Sequence, residues 1–280
     1  MIRRLKNKLF ATLCVAALTL GTVAVPSSFN SVQAAGTTKT VYVDVEKNVL
    51  GQDPILQPKA VTLSDTATIA DATKQAVGDG NVNIVPSQYG SYITGFKDTT
   101  DNQAAFNNNY KFKTVLNNIT KGIVFDTTKA YKQNIVTDPN YLSEKECDGI
   151  SGWMFTVNNK LNHDSTPYNG GTTLTNVPDG AVIRWEFTAA MGADMGLNSA
   201  YLPTEASNGY YDWSTAVFAD PFFIRADKTA LITKLATTAK PASVRHGRNQ
   251  YIAAQYALKN LTISQHDVDN TLNNLNNALK

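Results

Sequence analysis

The sequence predicts an α+β fold, with an antiparallel-rich domain over residues 40–195 followed by a small three-helix bundle over residues 227–280. Three observations carry that prediction. Apolar residues alternate with the period of a half-buried strand at Val41-Val43-Val45, at Trp153-Phe155-Val157 and at Ile183-Trp185-Phe187. One short amphipathic stretch, Thr68 to Val77, lies between the first two and opens with a helix-start pattern. Beyond Phe223 the apolar spacing changes from two to three and four, which marks a switch from strands to helices.

The chain starts with Arg3, Arg4, Lys6 and Lys8, then an apolar run from Leu9 to Val25, Pro26, and small or polar residues ending in Val32-Gln33-Ala34. That layout predicts a secretory signal over residues 1–34, cleaved after Ala34, with an apolar run just under a bilayer span. Cys14 follows Leu13 early in the run, which is not a lipidation pattern. Cleavage would remove four of the 25 basic residues and none of the 23 acidic ones, leaving a net charge of −2. No face gathers lysine and arginine with interleaved aromatics, so no nucleic-acid partner is expected, nor stable membrane insertion after cleavage. Cys147 alone remains of the two cysteines, so an intramolecular disulfide is excluded and packed cores must supply the stability.

In chain order, Val41, Val43 and Val45 against Tyr42, Asp44 and Glu46 predict the first strand, ended by Gly51-Gln52-Asp53-Pro54. A second strand is predicted at Ala60 to Leu63. Thr68 and Asp71 form a capping box, Ile69, Ala72, Ala76 and Val77 share one helix face, and Gly78 suits the helix end. Ser91 to Phe96 reads as a strand. Asn-rich residues from Asp98 to Asn118 show no period, and residues 98–147 read as a polar insertion. Two strands follow, Gly152 to Val157 and Ile183 to Phe187, separated by the turns Asn169-Gly170-Gly171 and Val177-Pro178-Asp179-Gly180. Residues 196–226 read as an aromatic connector. Leu231, Ile232 and Leu235, then Ile252 and Tyr256, then Val268, Leu272, Leu275 and Leu279 mark three helices, the last opened by Ser264 and Asp267.

Catalytic patterns are lacking: His163, His246 and His266 fall in no nucleophile elbow, zinc-protease helix or metal spacing, so a non-catalytic protein without cofactor or metal is expected. Glu144, Glu146 and Asp148 around Cys147 would raise its thiol pKa, and burial is expected. Trp153 and Trp185 fall on the apolar phase of their strands and read as core. Tyr210, Tyr211 and Trp213 sit beside Asn208, Gly209 and Asp212 without a clean period. They are the leading candidates for stacking on a ligand, joined by Tyr168, Tyr89 and Tyr92. Leu202-Pro203-Thr204-Glu205-Ala206 lacks the residues and apolar tail of a wall-sorting signal, so covalent anchoring is not expected.

Gly152-Trp153-Met154-Phe155-Thr156-Val157-Asn158-Asn159 and Val177-Pro178-Asp179-Gly180-Ala181-Val182-Ile183-Arg184-Trp185-Glu186-Phe187 together resemble the transcobalamin-like carboxy-terminal domain of bacterial surface proteins. The resemblance covers residues 40–195 and implies a β-grasp order of strands and helix. It makes a corrinoid such as cobalamin the leading small-molecule ligand. Ser264 to Asn270 with Leu272, Leu275, Ala278 and Leu279 resembles the end of a FIVAR-type helical repeat of cell-surface proteins. It implies the alternative, a structural surface or adhesion protein bound to cell-wall or matrix polysaccharide. Both readings place the chain outside the cell or on its surface.

Overall fold

The computed structural model describes residues 36–88, 90–109, 138–147, 149–161, 168–197, 200–205 and 211–280. Among them, in order, are β1 (Thr38–Glu46), β2 (Leu56–Ser64), α1 (Ile69–Val77), β3 (Val82–Ser87), β4 (Gly90–Lys97), α2 (Asn102–Asn108) and β5 (Tyr141–Ser143). They continue with β6 (Gly152–Val157), β7 (Lys160–Leu161), β8 (Val182–Thr188), β9 (Ala200–Glu205), β10 (Tyr211–Ala219), α3 (Thr229–Ala236), α4 (Arg248–Lys259) and α5 (Gln265–Ala278).

The main sheet has the order β2-β1-β8-β6-β7, and a smaller one has the order β3-β4-β5. In the main sheet β1 runs parallel to β8, while the other neighbours are antiparallel. The result is an α+β architecture rich in antiparallel pairs. Register sorts the two faces. Val43 lies beside Ile183 and Val45 beside Trp185, while Asp44 lies beside Arg184 and Glu46 beside Glu186. Since side chains alternate along a strand, one face is apolar and the other charged.

On the apolar face, Val41, Val43, Val45, Trp153, Trp185 and Phe187 share a buried core with Phe96 of the smaller sheet and with Ile69, Ala72 and Ala76 of α1. Each fully buried Val, Ile or Phe there is worth about 1.5–3 kcal/mol of transfer from water. The opposite face is covered by the carboxy-terminal helices. Leu231, Ile232 and Leu235 of α3, Ala254, Ala257 and Leu258 of α4 and Val268 and Leu275 of α5 form one cluster with Val182 of β8. Tyr256, expected on the buried stripe of α4, is 66 % exposed; the small Ala254 and Ala257 face inward instead and let the helices approach.

Next to that cluster the charged face is buried too. Arg184 donates to Glu46 at 2.6 Å and lies 3.3 Å from Glu186. Arg225 donates to both Glu186 oxygens and, at 2.6 Å, to Asn159 in the β6–β7 turn. Lys228, just ahead of α3, donates to the carbonyls of Leu258 and Asn260 at the end of α4, both at 2.7 Å. Burial pushes the Asp44 carboxyl well above its ordinary range, and Glu46 beside it adds to the rise.

Several sequence expectations need correction. Residues 98–118 contain α2, a polar helix fixed by the Asp101 side chain on the Ala104 N–H at 2.8 Å and by the buried Phe106. The expected connector contains the β9–β10 ladder, so Tyr211 and Trp213 belong to a strand rather than to irregular chain. Its β-branched and aromatic content outweighs the interrupted period. Strand β3 was not anticipated. The capping box of α1 is present in full, and Gly78 ends that helix at φ +96°. Cys147 is buried, and His246 and His266 are exposed.

Replacing Arg184 with leucine leaves Glu46 and Glu186 facing each other without their shared cation, and urea unfolding should register a loss of about 3–5 kcal/mol. A gain would contradict this account. The turn after β8, where Asp194 accepts from the Ala189 N–H at 2.8 Å, adds a pH dependence. Burial pushes Asp194 up to about 6, so the native state keeps a proton that the unfolded chain releases near its ordinary 3.8. The contribution of Asp194 is complete below that lower value and is lost as pH rises to about 6. The expected result is a decrease in unfolding free energy across that window, reduced in Asp194→Asn.

Candidate functional site

On its other edge from β1, β8 pairs antiparallel with β6, and the smaller sheet packs against the aromatic residues of this pair. Between them lies a cleft of about 290 Å³ lined by Tyr92, Trp153, Phe155, Leu161, Trp185 and Gly170, with Ser91 and Asn169 at its sides. Its floor is aromatic. Phe155 packs on Trp185 with centroids 4.7 Å apart, and Trp153 meets Phe96 edge-on at 4.6 Å. Both indole N–H groups are satisfied inside the protein, Trp153 on the Leu142 carbonyl and Trp185 on the Thr73 hydroxyl, each at 2.9 Å. The tryptophans are thus core residues, as their strand phase predicts, and they also form the cleft's floor.

One wall is held by glycine. The Gly170 backbone lies so close to β4 that an added Cβ would stand 2.1 Å from the Ser91 carbonyl oxygen. The same loop is tied to α1, whose free Ile69 and Ala70 N–H groups donate to the carbonyls of Thr172 and Gly170, both at 2.9 Å. Asn169 closes the turn by accepting from the Gly171 N–H at 2.9 Å. A helix start therefore fixes the wall of the cleft.

The rim is polar. Tyr92 is 44 % exposed, and its hydroxyl donates to Glu144 at 2.6 Å. Partial burial, and then the Glu144 carboxylate, raise the phenol's pKa, so it stays protonated and donating. An apolar aromatic floor with a few fixed polar groups at its edge is the usual make-up of a small-ligand site. Among the described residues no histidine, cysteine or carboxylate lines it. Among the described residues no group of three such side chains could hold a metal ion. The arrangement can hold a ring by packing its face on aromatic carbon while the edge hydrogen-bonds to the rim.

Of the residues expected at a binding site, Tyr92 lines the cleft and Tyr168 is partly buried against the main core beside Asn169. Tyr89 and Tyr210 lie outside the described residues, and Tyr211 and Trp213 lie on β10, of which no described residue is among the cleft's lining. Phe155, Leu161, Trp153, Trp185, Ser91 and Asn169 were not anticipated as lining. The signal that could have found them is Gly90 and the Gly170-Gly171 pair, which suit a close backbone approach. Gly170→Ala should push the loop away from β4, lowering stability by about 1–3 kcal/mol in urea unfolding and opening the cleft; an unchanged midpoint would show that the loop is not wedged there.

No family model, no curated protein and no solved structure matches this chain.

Proposed function

We propose that this chain is an exported, non-catalytic binding module of the cell surface whose aromatic cleft receives one sugar ring of a wall or matrix polysaccharide. The observation that carries the reading is the cleft itself, about 290 Å³ with an aromatic floor and a rim of Ser91, Asn169 and Tyr92, whose hydroxyl Glu144 holds from outside. A sugar ring presents axial C–H groups to an aromatic surface and hydroxyls to a polar edge, and it fits that volume. A corrinoid is a broader disc and would engage the cleft only by an edge. The proposal of export rests on the basic, apolar and small-residue order of residues 1–34.

The proposed fold is β-grasp with a carboxy-terminal three-helix bundle. Its support is the run β2-β1-β8-β6 with a parallel central pair, α1 across the apolar face, and three helices around Leu231, Ala257 and Leu275. The kinship with transcobalamin-like and FIVAR-type surface modules is part of the same proposal.

Calorimetric titration of the exported chain with wall-glycan fragments, and separately with cobalamin, tests the function. One-to-one glycan binding is expected, weakened about tenfold or more by Tyr92→Ala and unaffected by Trp213→Ala, a tenfold change being about 1.4 kcal/mol. Binding of cobalamin alone, or glycan binding lost in Trp213→Ala and kept in Tyr92→Ala, would refute it.

A further inference from the structure

Beneath a second cavity, about 690 Å³ and lined in part by Lys47, Asp98 and Thr100, lies a cluster that the binding function does not use. Lys47 follows β1 and Asn102 opens α2; they are 4 % and 1 % exposed. The side chain of Asp98 is 7 % exposed. Lys47 Nζ donates to the Asn102 carbonyl Oδ1 at 3.2 Å and to Asp98 Oδ2. Asn102 Nδ2 donates to the same Asp98 oxygen at 3.1 Å. One carboxylate oxygen thus grips both the amine and the carboxamide nitrogen, and holds the amine against the carboxamide carbonyl. The Thr100 hydroxyl lies within hydrogen-bond distance of all three side chains. Val49, Leu50 and Phe106 on the same two segments are buried.

We propose that Lys47 and Asn102 join in an intramolecular isopeptide bond, with Asp98 carrying the proton. The ammonium of Lys47 first passes a proton to Asp98, which gives a neutral amine and a carboxylic acid. The amine nitrogen then attacks Cγ of Asn102, and the Thr100 hydroxyl, 3.2 Å from the carboxamide Oδ1, donates to that oxygen as its negative charge grows. Collapse breaks the Cγ–Nδ2 bond. The leaving nitrogen takes the proton lost by the attacking amine and departs as ammonia, which receives the Asp98 proton and leaves as ammonium through the cavity. The net change is one ammonium plus one carboxamide becoming one amide plus free ammonium, with no oxidant or reductant. Proximity supplies the rate, since the amine is already held at 3.2 Å from the oxygen of the carboxamide it attacks, and groups fixed together react as one molecule.

Proton transfer within the pair opposes the resting charge state. Burial alone would raise Asp98, but hydrogen bonds from Lys47, Thr100 and Asn102 hold its carboxyl below the ordinary value. The reaction is therefore slow and happens once, as the fold closes. Glu146, which burial pushes up to about 7, is a further acid near the pair. The cross-link would tie the end of the first strand to the start of α2, closing a long loop of chain.

The test is intact-mass and peptide-mapping spectrometry of the denatured exported chain. The expected mass is short by one ammonia, and a branched peptide joins the Lys47 and Asn102 segments. Lys47→Arg and Asp98→Asn should each restore the full mass, with a lower thermal midpoint. Mapping of the wild-type chain stands even if a variant fails to fold. Full mass with separate Lys47 and Asn102 peptides would overturn the proposal. So would ammonia loss that survives Lys47→Arg, which is succinimide formation, or loss of water with Lys47 joined to Asp98.

Discussion

The parallel ladder between β1 and β8 is the constraint on which the rest of the structure depends. It runs from Tyr42 beside Val182 to Glu46 beside Glu186. A slip of one residue in either strand would turn Asp44 or Arg184 into the aromatic core and send its valines or Trp185 to the charged face. Parallel strands also need a long crossover. The crossover between them contains α1, the smaller sheet and β6, and the cleft arises where β4 and the Gly170 loop pack back onto the main sheet.

The two faces solve the burial problem in different ways. On one, aromatic rings fill the space and use their N–H groups internally, on Leu142 and Thr73. On the other, Arg184 and Arg225 divide the charge of Glu46 and Glu186, with Arg225 forming a two-pronged pair of the kind a guanidinium makes best. That charged layer adds less stability than an apolar one of equal volume would. It ties the β6–β7 turn to the chain entering the helices through Asn159 and Arg225. The cleft thus rests on a rigid base, with Phe155 and Trp185 held from behind by a sheet that neither face allows to slide.

The strands with a strict apolar alternation were legible because both phases are used: Val41-Val43-Val45 and Ile183-Trp185-Phe187 against Asp44-Glu46 and Arg184-Glu186. The α1 box was legible because Thr68 and Asp71 act within one turn. Elements fixed by distant contacts were not. Asn102–Asn108 has almost no apolar stripe and depends on Asp101 and Phe106, while Val82–Ser87 contains Pro86 and depends on β4 for pairing. Tyr92 stood out as an aromatic without a settled role, but its neighbours in the cleft come from segments far apart in sequence. Gly170 against Ser91 is what brings them together. Tyr211 and Trp213 drew attention for the glycine and asparagine beside them, a local signal that says nothing of where a strand places its side chains.

The three tryptophans give the most direct reading of where a ligand sits. Trp153 and Trp185 floor the cleft, and Trp213 lies on β10. Each contributes one indole N–H resonance to a nitrogen-15 NMR spectrum, assigned by single Trp→Phe variants. Titration with a wall-glycan fragment should move the Trp153 and Trp185 resonances together and saturably while Trp213 stays in place. Saturable movement of Trp213 with Trp153 and Trp185 unmoved would place the ligand on the β9–β10 hairpin and contradict the cleft.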